Sequence, residues 1–467
     1  MTIKTNDVLA LLAAVPGDAW LVGGALRDRL LGRASTDYDV ALRGDPEHAA
    51  RVLARRGGGY AFLLSEGFGA WRVIERARSW QVDLLPLSAE TIELDLARRD
   101  LTINAIAQPL RGGELIDPLG GLYDLRSGQL RMASEVAFAQ DPLRTIRLAR
   151  LACELGFRVE SGTAAAAAHN ARGLGGVAPE RVFAELRRIV SAERAVEGLE
   201  LMDALGLTKQ VLPELDALHG IEQSRYHHLD VHDHTIAVLA QTIELERDPQ
   251  AVLGVEGEAV RAVLAQPLAN ELTRGQALRF GALLHDAAKP RTRGLSAEGK
   301  ITFVGHDEAG AQIARVALSR LRASERLCEH VAALTRHHLR LGFLVHQAPL
   351  SRRAIYHYLR ACEPVGVDVT LLSVADRLST LGAGSGEAIA RHLELARQLL
   401  GEALAWLSEP PRPPVRGDRL ARELGIRRGP EIGRVLAELE EASFAGEIQT
   451  PEQAIELARV KIDRAAR

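Results

Sequence analysis

The chain is poor in cysteine, lysine and aromatic residues, and it has no long apolar run. Its three cysteines are odd in number and far apart, so they indicate neither a disulfide framework nor a zinc-thiolate site. No apolar stretch approaches the roughly 18 residues that a membrane span needs. The first twenty residues contain Asp7 and Asp18 but a single basic residue, Lys4, unlike the basic start of a secretory signal. We therefore expect a cytoplasmic protein with no membrane partner.

The remaining composition is that of an ordinary globular protein. Of 467 residues, 47% are hydrophobic and 25% are charged, and the net charge is −3. A chain of this length exceeds what one hydrophobic core supports, so we expect several domains. The nearly neutral charge gives no global sign of nucleic-acid binding. The excess of arginine over only five lysines carries little weight, because a codon preference alone can produce it.

Short strands and helices alternate in the first part of the chain, and helical periodicity dominates from about residue 136 onward. This order predicts an α+β fold: a mixed head domain followed by all-helical parts. Four prolines between positions 410 and 414 predict a stiff linker. The predicted divisions are a head at 1–135, a helical neck at 136–222, a third domain at 223–385 and a helical tail at 386–467, with the linker at 408–418.

The stretch VGGALRDRLLGRASTDYDVAL, residues 22–42, has the features of a metal-nucleotide site. Two glycines end a strand and open a short helix, whose free N–H groups favour a phosphate, and Arg27 adds a guanidinium. Asp37 and Asp39 are one residue apart in an apolar strand, so both side chains point to one face. Two close carboxylates repel each other unless a cation lies between them, and oxygen ligands of this kind suit Mg²⁺.

Two later stretches supply charged groups of the same kind. In DLARRDLTINA, residues 95–105, the paired arginines suit a triphosphate, and Asp100 with Asn104 suits a ribose. In DPLRTIRLARL, Asp141 and Pro142 predict a helix start, and Asp141 with Arg144 offers an acceptor and a donor to a base edge. Taken singly, each pair is more typical of a surface ion pair, so these stretches gain meaning only in combination.

The ordered set GGALRD, DYD, DLARRDLTINA, IDPLGGLYDL and DPLRTIRLARL closely resembles the class II tRNA nucleotidyltransferase and poly(A) polymerase family, over residues 20 to about 160. The resemblance implies a polymerase β-like nucleotidyltransferase head, with neck, body and tail parts that hold the acceptor end of tRNA. It implies addition of CCA to the tRNA 3′ end from CTP and ATP, with Mg²⁺ at the head.

The resemblance also implies a role for individual residues. Metal binding falls on Asp37 and Asp39, with Asp83 as a third carboxylate. The incoming nucleotide would be held by Gly24, Arg27, Arg99, Arg147 and Arg150. Asp100 and Asn104 fall on the ribose-recognition motif, and Asp141 with Arg144 falls on the protein template that selects cytosine or adenine.

Two departures from the family pattern leave several specificities open. Gln140 stands before Asp141 where the family usually has Glu. Only SAETIEL separates WQVDLLPL from DLARRD, whereas many CCA-adding members carry a longer loop there and CC-adding members have it shortened. The chain could therefore be a CC-adding or A-adding enzyme or a poly(A) polymerase, or, in another class, an RNA-binding metal phosphohydrolase with an inactive head.

A second ordered set resembles the HD phosphohydrolase domain over residues 225 to about 380. It consists of His234, His285 with Asp286, and Asp376, which would bind a divalent metal of the Mg²⁺, Mn²⁺ or Ni²⁺ class. We prefer His234 to its neighbours His227, His228 and His232 because an apolar helical face follows it. Lys289 is expected to neutralise a phosphate, and a second metal would take His306 and His337 with His338. The competing interpretation is a degenerate, structural HD domain.

The last part of the chain, residues 415–454, resembles the C-terminal tail of bacterial CCA-adding enzymes, with Gly429 and Pro430 opening a helix. A basic terminal domain of this kind can grip the tRNA backbone without reading its sequence. The sequence leaves the oligomeric state open.

Overall fold

A mixed sheet stands at the start of the chain, where the sequence places the paired aspartates. The computed structural model describes residues 5–67, 69–223, 229–380, 385–426 and 429–465. The chain divides into two compact units, residues 1–211 and 212–467. That boundary lies inside the predicted neck at 136–222, and the finer division into four domains stays a prediction.

The sheet of the first unit has six strands in the order β3-β4-β5-β2-β1-β6. Only β2 and β5 run parallel, and the other neighbours are antiparallel. The strands are β1 Asp18–Val22, β2 Asp37–Arg43, β3 Gly59–Ser65, β4 Ala70–Glu75, β5 Gln81–Pro86 and β6 Ala107–Pro109. The helices around them are α1 Thr5–Leu12, α2 Gly23–Leu30, α3 Pro46–Gly57, α4 Ile92–Leu96 and α5 Gly121–Ser127, with a 3-10 turn at Thr102–Asn104.

One face of this sheet is covered by α1 and α3, and the other carries the paired aspartates beside a smaller core that includes Ala41 and Leu96. Alternate residues of the central strands, such as Tyr38, Val40 and Val82, pack against α1 and α3 in the main core. Because side chains alternate along a strand, the residues between them point to the opposite face. The structure thus places Asp37 and Asp39 on the face away from this core.

Short helices complete the first unit. They are α6 Ala137–Gln140, α7 Leu143–Leu155, α8 Ser161–Asn170, α9 Pro179–Ser191, α10 Ala195–Ala204 and α11 Thr208–Val211, with a 3-10 turn at Ala171–Gly176 and a two-stranded pair of β7 Gln129–Leu130 and β8 Arg158–Val159. The predicted helix start is confirmed. Asp141 has the extended backbone of an N-cap residue, with φ −142° and ψ 96°, and its carboxylate accepts a hydrogen bond from the Leu143 N–H at 3.2 Å. Pro142 is already in the helical conformation, with φ −59° and ψ −22°.

The second unit is almost entirely helical. Its first helices are α12 Pro213–Asp216, α13 Val231–Arg247, α14 Pro249–Leu253, α15 Gly257–Leu264, α16 Arg274–Leu284 and α17 Lys289–Thr292. They are followed by α18 His306–Arg320, α19 Glu325–His337, α20 Arg340–Leu344, α21 Arg352–Ala361 and α22 Gly366–Leu378. Two small strand pairs, β9 Pro267–Ala269 with β10 Leu272–Thr273 and β11 Gly294–Leu295 with β12 Ile301–Thr302, and 3-10 turns at Gly254–Glu256 and Val345–Gln347 connect them.

The chain ends with α23 Ser385–Ser408, α24 Gly417–Leu424, α25 Pro430–Phe444 and α26 Pro451–Ala465. The proline-rich stretch between α23 and α24 is not helical, and α25 begins at Pro430 after Gly429 as predicted. The last three helices share a small core of their own that includes Leu420, Leu439 and Ala458. Among the helices of the described ranges, none is long and apolar enough to cross a bilayer. The predicted α+β class, a mixed head followed by helices, is confirmed.

Candidate active sites

The first candidate site lies on the open face of the sheet, where β2, β5 and β1 run side by side. Asp39 faces Asp83 of β5 on one side and Val22 of β1 on the other. Burial raises the pKa of the Asp39 carboxyl; Arg99 opposes this, and the negative charges of Asp83 and Asp37 reinforce it. A half-buried carboxylate beside two others is costly alone, so this arrangement fits a divalent cation.

A glycine brings the start of α2 against this carboxylate. Gly23 has φ +70°, and a Cβ there would lie 2.9 Å from Asp39 Oδ2 and 3.3 Å from Arg99 Nη1. Any side chain at Gly23 would therefore enter the site and strain the backbone. At Gly24, which the resemblance singled out, a Cβ would meet only Arg27 Nη2 at 3.7 Å. The close approach thus depends on Gly23. The sequence shows two adjacent glycines and does not indicate which of them is required.

Four of the predicted nucleotide-binding residues form one chain of hydrogen bonds that ends in an ion pair. Arg27 Nη1 donates to Asn104 Oδ1 at 2.8 Å, Asn104 Nδ2 donates to Asp100 Oδ1 at 2.9 Å, and Asp100 Oδ2 lies 2.7 Å from Arg147 Nε. Burial alone would raise the pKa of Asp100, but Arg147 and the bonds from Asn104 and the Leu101 N–H keep it below its usual value. These side chains are thus held in fixed positions before a substrate binds.

Two further predicted residues have protein partners of a different kind. Arg144 donates to the main-chain carbonyls of Arg98 at 2.8 Å and Arg99 at 3.3 Å, and Asp141 lies 3.2 Å from Arg181. The main chain therefore anchors Arg144 beside the paired arginines.

Arg150 lies three residues after Arg147 in α7, in buried ion pairs with Glu185 at 2.5 Å and Glu154 at 2.8 Å. These two contacts fit a structural role in the helical part of the unit.

Asp83, the proposed third carboxylate, is held by an arginine that the sequence analysis did not single out. Arg72 of β4 binds it with two parallel hydrogen bonds, from Nε to Oδ1 at 2.6 Å and from Nη2 to Oδ2 at 2.7 Å. The hydrogen bond with Asp83 raises the pKa of Arg72, so this guanidinium stays charged. The only sequence signal for Arg72 is that a charged residue stands within an otherwise apolar strand.

The second candidate site lies inside the helical unit and contains two triads of possible metal ligands. His234, His285 and Asp376 form one triad, and Asp286, His306 and His338 form the other; within each, ligand atoms lie within 4.8 Å of one another. The adjacent residues His285 and Asp286 join the two triads. Because His285, Asp286, His306 and His338 are buried, this is a compact, enclosed cluster.

Three of the histidine rings are oriented by the main chain. The Nδ1 atoms of His285, His306 and His338 lie 2.8, 2.6 and 2.6 Å from the carbonyl oxygens of Ala282, Phe303 and Thr335. Each ring thus donates from Nδ1 and turns Nε2 into the cluster, as metal-ligating histidines do.

Polar atoms inside the cluster lack normal partners. His285 Nε2 and Asp286 Oδ2 are 3.1 Å apart, yet neither makes a hydrogen bond of acceptable geometry. Burial alone would raise the pKa of Asp286, but His285 and Lys289 hold it well below its usual range. Burial lowers the pKa of His338 to about 4, so its ring is neutral and able to bind a cation. This donor set fits a divalent transition metal or Mg²⁺.

The structure distinguishes between the two neighbouring histidines at the end of α19. His338 Nε2 lies 3.3 Å from His306 Nε2, whereas His337 accepts a hydrogen bond from Arg340 Nε at 2.9 Å. The second triad therefore uses His338.

Among the described histidines of α13, His234 is the one whose ring lies in the cluster. Its Nε2 lies 3.0 Å from Asp376 Oδ1, whereas His232 stacks on His219 with ring centroids 3.6 Å apart. His227 and His228 lie outside the described residues.

An open cavity of about 260 Å³ gives access to this cluster. Its lining includes Asp286, His306, His338, Lys289 and Gln223. Lys289 Nζ lies 2.6 Å from Asp286 Oδ2 and donates to Gln223 Oε1 at 2.6 Å. Gln223, which the sequence analysis did not identify, thus holds the lysine at the cavity wall.

Comparison with protein families gives three matches in chain order. Residues 19–85 and 74–131 match the Poly A polymerase head domain, residues 156–218 match the "Probable RNA and SrmB-binding site of polymerase A", and residues 231–381 match the HD domain. The carboxylates of the first site and both triads of the second fall within these matches, whereas Arg144 and Arg147 lie between two of them.

Full-length relatives are also similar. The A-adding tRNA nucleotidyltransferase of Deinococcus radiodurans is 37% identical, over 95% of this chain and 95% of the relative. The CC-adding tRNA nucleotidyltransferase of Thermus thermophilus is 36% identical, over 94% and 92%. Among solved structures, the Thermotoga maritima CCA-adding enzyme complexed with tRNA has a TM-score of 0.63 at 19% identity, over 99% of this chain and 97% of that chain, which shows a shared fold.

Proposed function

The chain belongs to the tRNA nucleotidyltransferase family, and from that premise we propose that it adds nucleotides from CTP and ATP to the 3′ end of tRNA to complete the CCA sequence. The observation that carries this proposal is the placement of Asp37 and Asp39 on one open face beside Gly23. Arg99 and the chain from Arg27 to Arg147 lie around that face, where a nucleotide triphosphate needs positive charge.

We assign Mg²⁺ to Asp37 and Asp39. When bound, Mg²⁺ lowers the pKa of the terminal 3′-hydroxyl and neutralises the charge of the departing pyrophosphate. The residues of the chain bind and orient: Gly23 leaves space for a phosphate, and Arg99 balances its charge. The fixed pair of Asp100 and Asn104 offers an acceptor and a donor to the ribose hydroxyls. In phosphoryl transfer, such positioning and charge stabilisation supply most of the rate.

A specific observation favours CC addition alone as a second candidate. The strand β5 ends at Pro86 and α4 begins at Ile92, so only residues 87–91 connect them, and the paired arginines follow directly after α4. The family resemblance associates a longer loop here with full CCA addition. Relatives with A-adding and CC-adding names are almost equally identical to this chain, so identity does not decide between the specificities.

Product length distinguishes these specificities. A tRNA transcript lacking its last three nucleotides is supplied with CTP, ATP and Mg²⁺, and a second transcript ending in CC is supplied with ATP alone. Growth of the first by three nucleotides supports CCA addition, and growth by two with no reaction of the second supports CC addition. Reaction of the second transcript alone indicates an A-adding enzyme, and long tails indicate a poly(A) polymerase.

For the second site we propose a metal-dependent phosphohydrolase activity. His234, His285, Asp286 and Asp376 would hold one divalent cation of the Mg²⁺, Mn²⁺ or Ni²⁺ class, and His306 with His338 would extend the site to a second. Such a cation activates water towards a phosphoester. Lys289, fixed by Gln223 at the cavity wall, would neutralise the phosphate of the substrate.

The main support for this second site is the buried His285 Nε2, which makes no hydrogen bond although it lies 3.1 Å from Asp286 Oδ2. Since a buried polar atom without a hydrogen bond is costly, a bound cation explains why the fold keeps this atom. An RNA-binding phosphohydrolase with an inactive head is the competing proposal; it predicts hydrolysis without nucleotide incorporation. We place the protein in the cytoplasm, where tRNA and nucleoside triphosphates are available.

A further inference from the structure

The outer strand of the head sheet exposes large apolar side chains on the same side as the candidate active site. Strand β3 is the edge of the sheet, and its Tyr60 and Phe62 are 62% and 43% exposed. Ala61 between them packs towards the core. Apolar edge strands are a risk for aggregation, and a strip of this kind on a protein surface is typical of a binding site.

The strand register connects this strip to the paired aspartates. Across the sheet, Phe62 pairs with Arg72, Arg72 with Asp83, and Asp83 with Asp39. Directly paired residues share a face, so Phe62 and Asp39 lie on the same side of the sheet. Three strand spacings separate them, which is about 14 Å. At a stacked rise of about 3.4 Å, or more when extended, this distance spans roughly two to four nucleotides.

The charges around the strip suit a nucleic-acid strand. The guanidinium of Arg76 lies over the Tyr60 ring, 5.6 Å from its centroid, and is exposed for contact with a phosphate. An RNA strand that runs from Phe62 to Asp39 would pass over Asp83. Arg72 binds both oxygens of this carboxylate and balances its negative charge. Exposed aromatic rings next to arginines are the features with which proteins stack unpaired bases.

We propose that Tyr60 and Phe62 form a stacking platform for the unpaired nucleotides immediately upstream of the RNA 3′ end. This inference rests on the proposed function, which places the 3′-hydroxyl at Asp37 and Asp39. The platform positions the acceptor strand by its base faces, so it accepts any base, whereas the nucleotide-binding residues select the incoming nucleotide. Tyr60 and Phe62 therefore act on RNA binding and leave the binding of CTP unchanged.

The test compares full-length variants for their KM values for tRNA and CTP. Tyr60→Ala with Phe62→Ala should raise the KM for a tRNA that already carries the first C of CCA, and so has an unpaired nucleotide upstream of its 3′ end, about fivefold or more, with an unchanged KM for CTP. Phe62→Leu should raise the KM for tRNA nearly as much as Phe62→Ala does, because leucine is apolar but has no ring to stack on a base. Phe62→Tyr keeps an aromatic ring and should leave the KM for tRNA close to that of the wild type. Tyr123→Ala, which removes another exposed aromatic residue of the first unit, is the matched control.

A spectroscopic readout separates stacking from a loss of structure. An RNA with 2-aminopurine as an unpaired base two to four positions upstream of its 3′ end should lose fluorescence when the wild-type protein binds, and the double variant should abolish this quenching at saturating protein. Equal quenching by both proteins would overturn the proposal. The proposal would also be overturned if the wild-type protein were a dimer in solution, the double variant a monomer, and the KM for tRNA the same for both. That result would mean that β3 of the wild type pairs with a second copy of the chain. If the wild-type protein extends no RNA, the proposed function itself fails.

Discussion

Neutralising Asp39 should stabilise the metal-free protein while it abolishes nucleotide addition. In the fold, this carboxylate is half-buried, and burial together with Asp83 and Asp37 raises its pKa. Asp39→Asn keeps the shape of the side chain and removes the unfavourable charge. We expect the variant to unfold at a higher temperature than the wild type in the absence of divalent cations.

The sign of the pH dependence follows from the direction of the pKa shift. A carboxyl whose pKa is raised in the fold binds protons more tightly when folded, so the stability of the wild type falls as the pH rises from the unfolded pKa of about 3.9 through the folded value. Above that window the penalty is complete. Since Asp39 is partly exposed and Arg99 offsets part of the cost, we expect a gain of about 1 kcal/mol for Asp39→Asn.

Thermal unfolding at neutral pH provides the assay. For a unit of about 200 residues, a gain of about 1 kcal/mol corresponds to roughly 2–4 °C in Tm. Adding Mg²⁺ should raise the Tm of the wild type and leave that of Asp39→Asn almost unchanged, because a ligand is lost. CMP incorporation should fall by a factor of about a thousand or more. A destabilised variant, or one that Mg²⁺ stabilises as much as the wild type, would refute this account of Asp39.

Three further predictions concern the remaining groups. His285→Ala with Asp286→Ala should abolish phosphodiesterase or phosphatase activity and spare nucleotide addition; loss of both activities in a folded variant would contradict two separate sites. His338→Ala should lower the metal content of the purified protein, measured by mass spectrometry of the elements, whereas His337→Ala should leave it unchanged; equal losses would contradict the choice of His338. Asp100→Asn should raise the KM for CTP about tenfold, since it weakens the contact that orients the ribose; an unchanged KM would remove Asp100 from the nucleotide site.

The strand carrying the paired aspartates could be predicted because a period of two is simple. An apolar run with Asp, Tyr, Asp at its start places Tyr38 in the core and both carboxylates opposite, and the structure has this arrangement. The start of α7 could be predicted as well. Asp141 has an extended backbone and accepts a hydrogen bond from the Leu143 N–H, which is the geometry of an N-cap residue, and Pro142 follows it in the helical conformation.

Contacts between distant segments could not be predicted from the sequence. Arg72 is eleven residues from Asp83, and only the pairing of β4 with β5 brings them together. Likewise, two adjacent histidines at a helix end point in different directions, and the sequence does not say which one faces His306. Packing of α18 against α19 places His338 there. The residue types in the sequence thus indicated the kind of chemistry at each site. Which side chains contact each other depends on how the strands and helices pack.

The central claim is that the head site adds nucleotides to RNA with release of pyrophosphate. The most direct measurement is the ratio of pyrophosphate released to CMP incorporated when the full-length protein acts on a tRNA lacking CCA. We predict one pyrophosphate for each CMP, with both products absent for Asp39→Ala even though that variant still binds the tRNA. Full incorporation by Asp39→Ala, or binding of tRNA by the wild type with neither product formed, would contradict the claim.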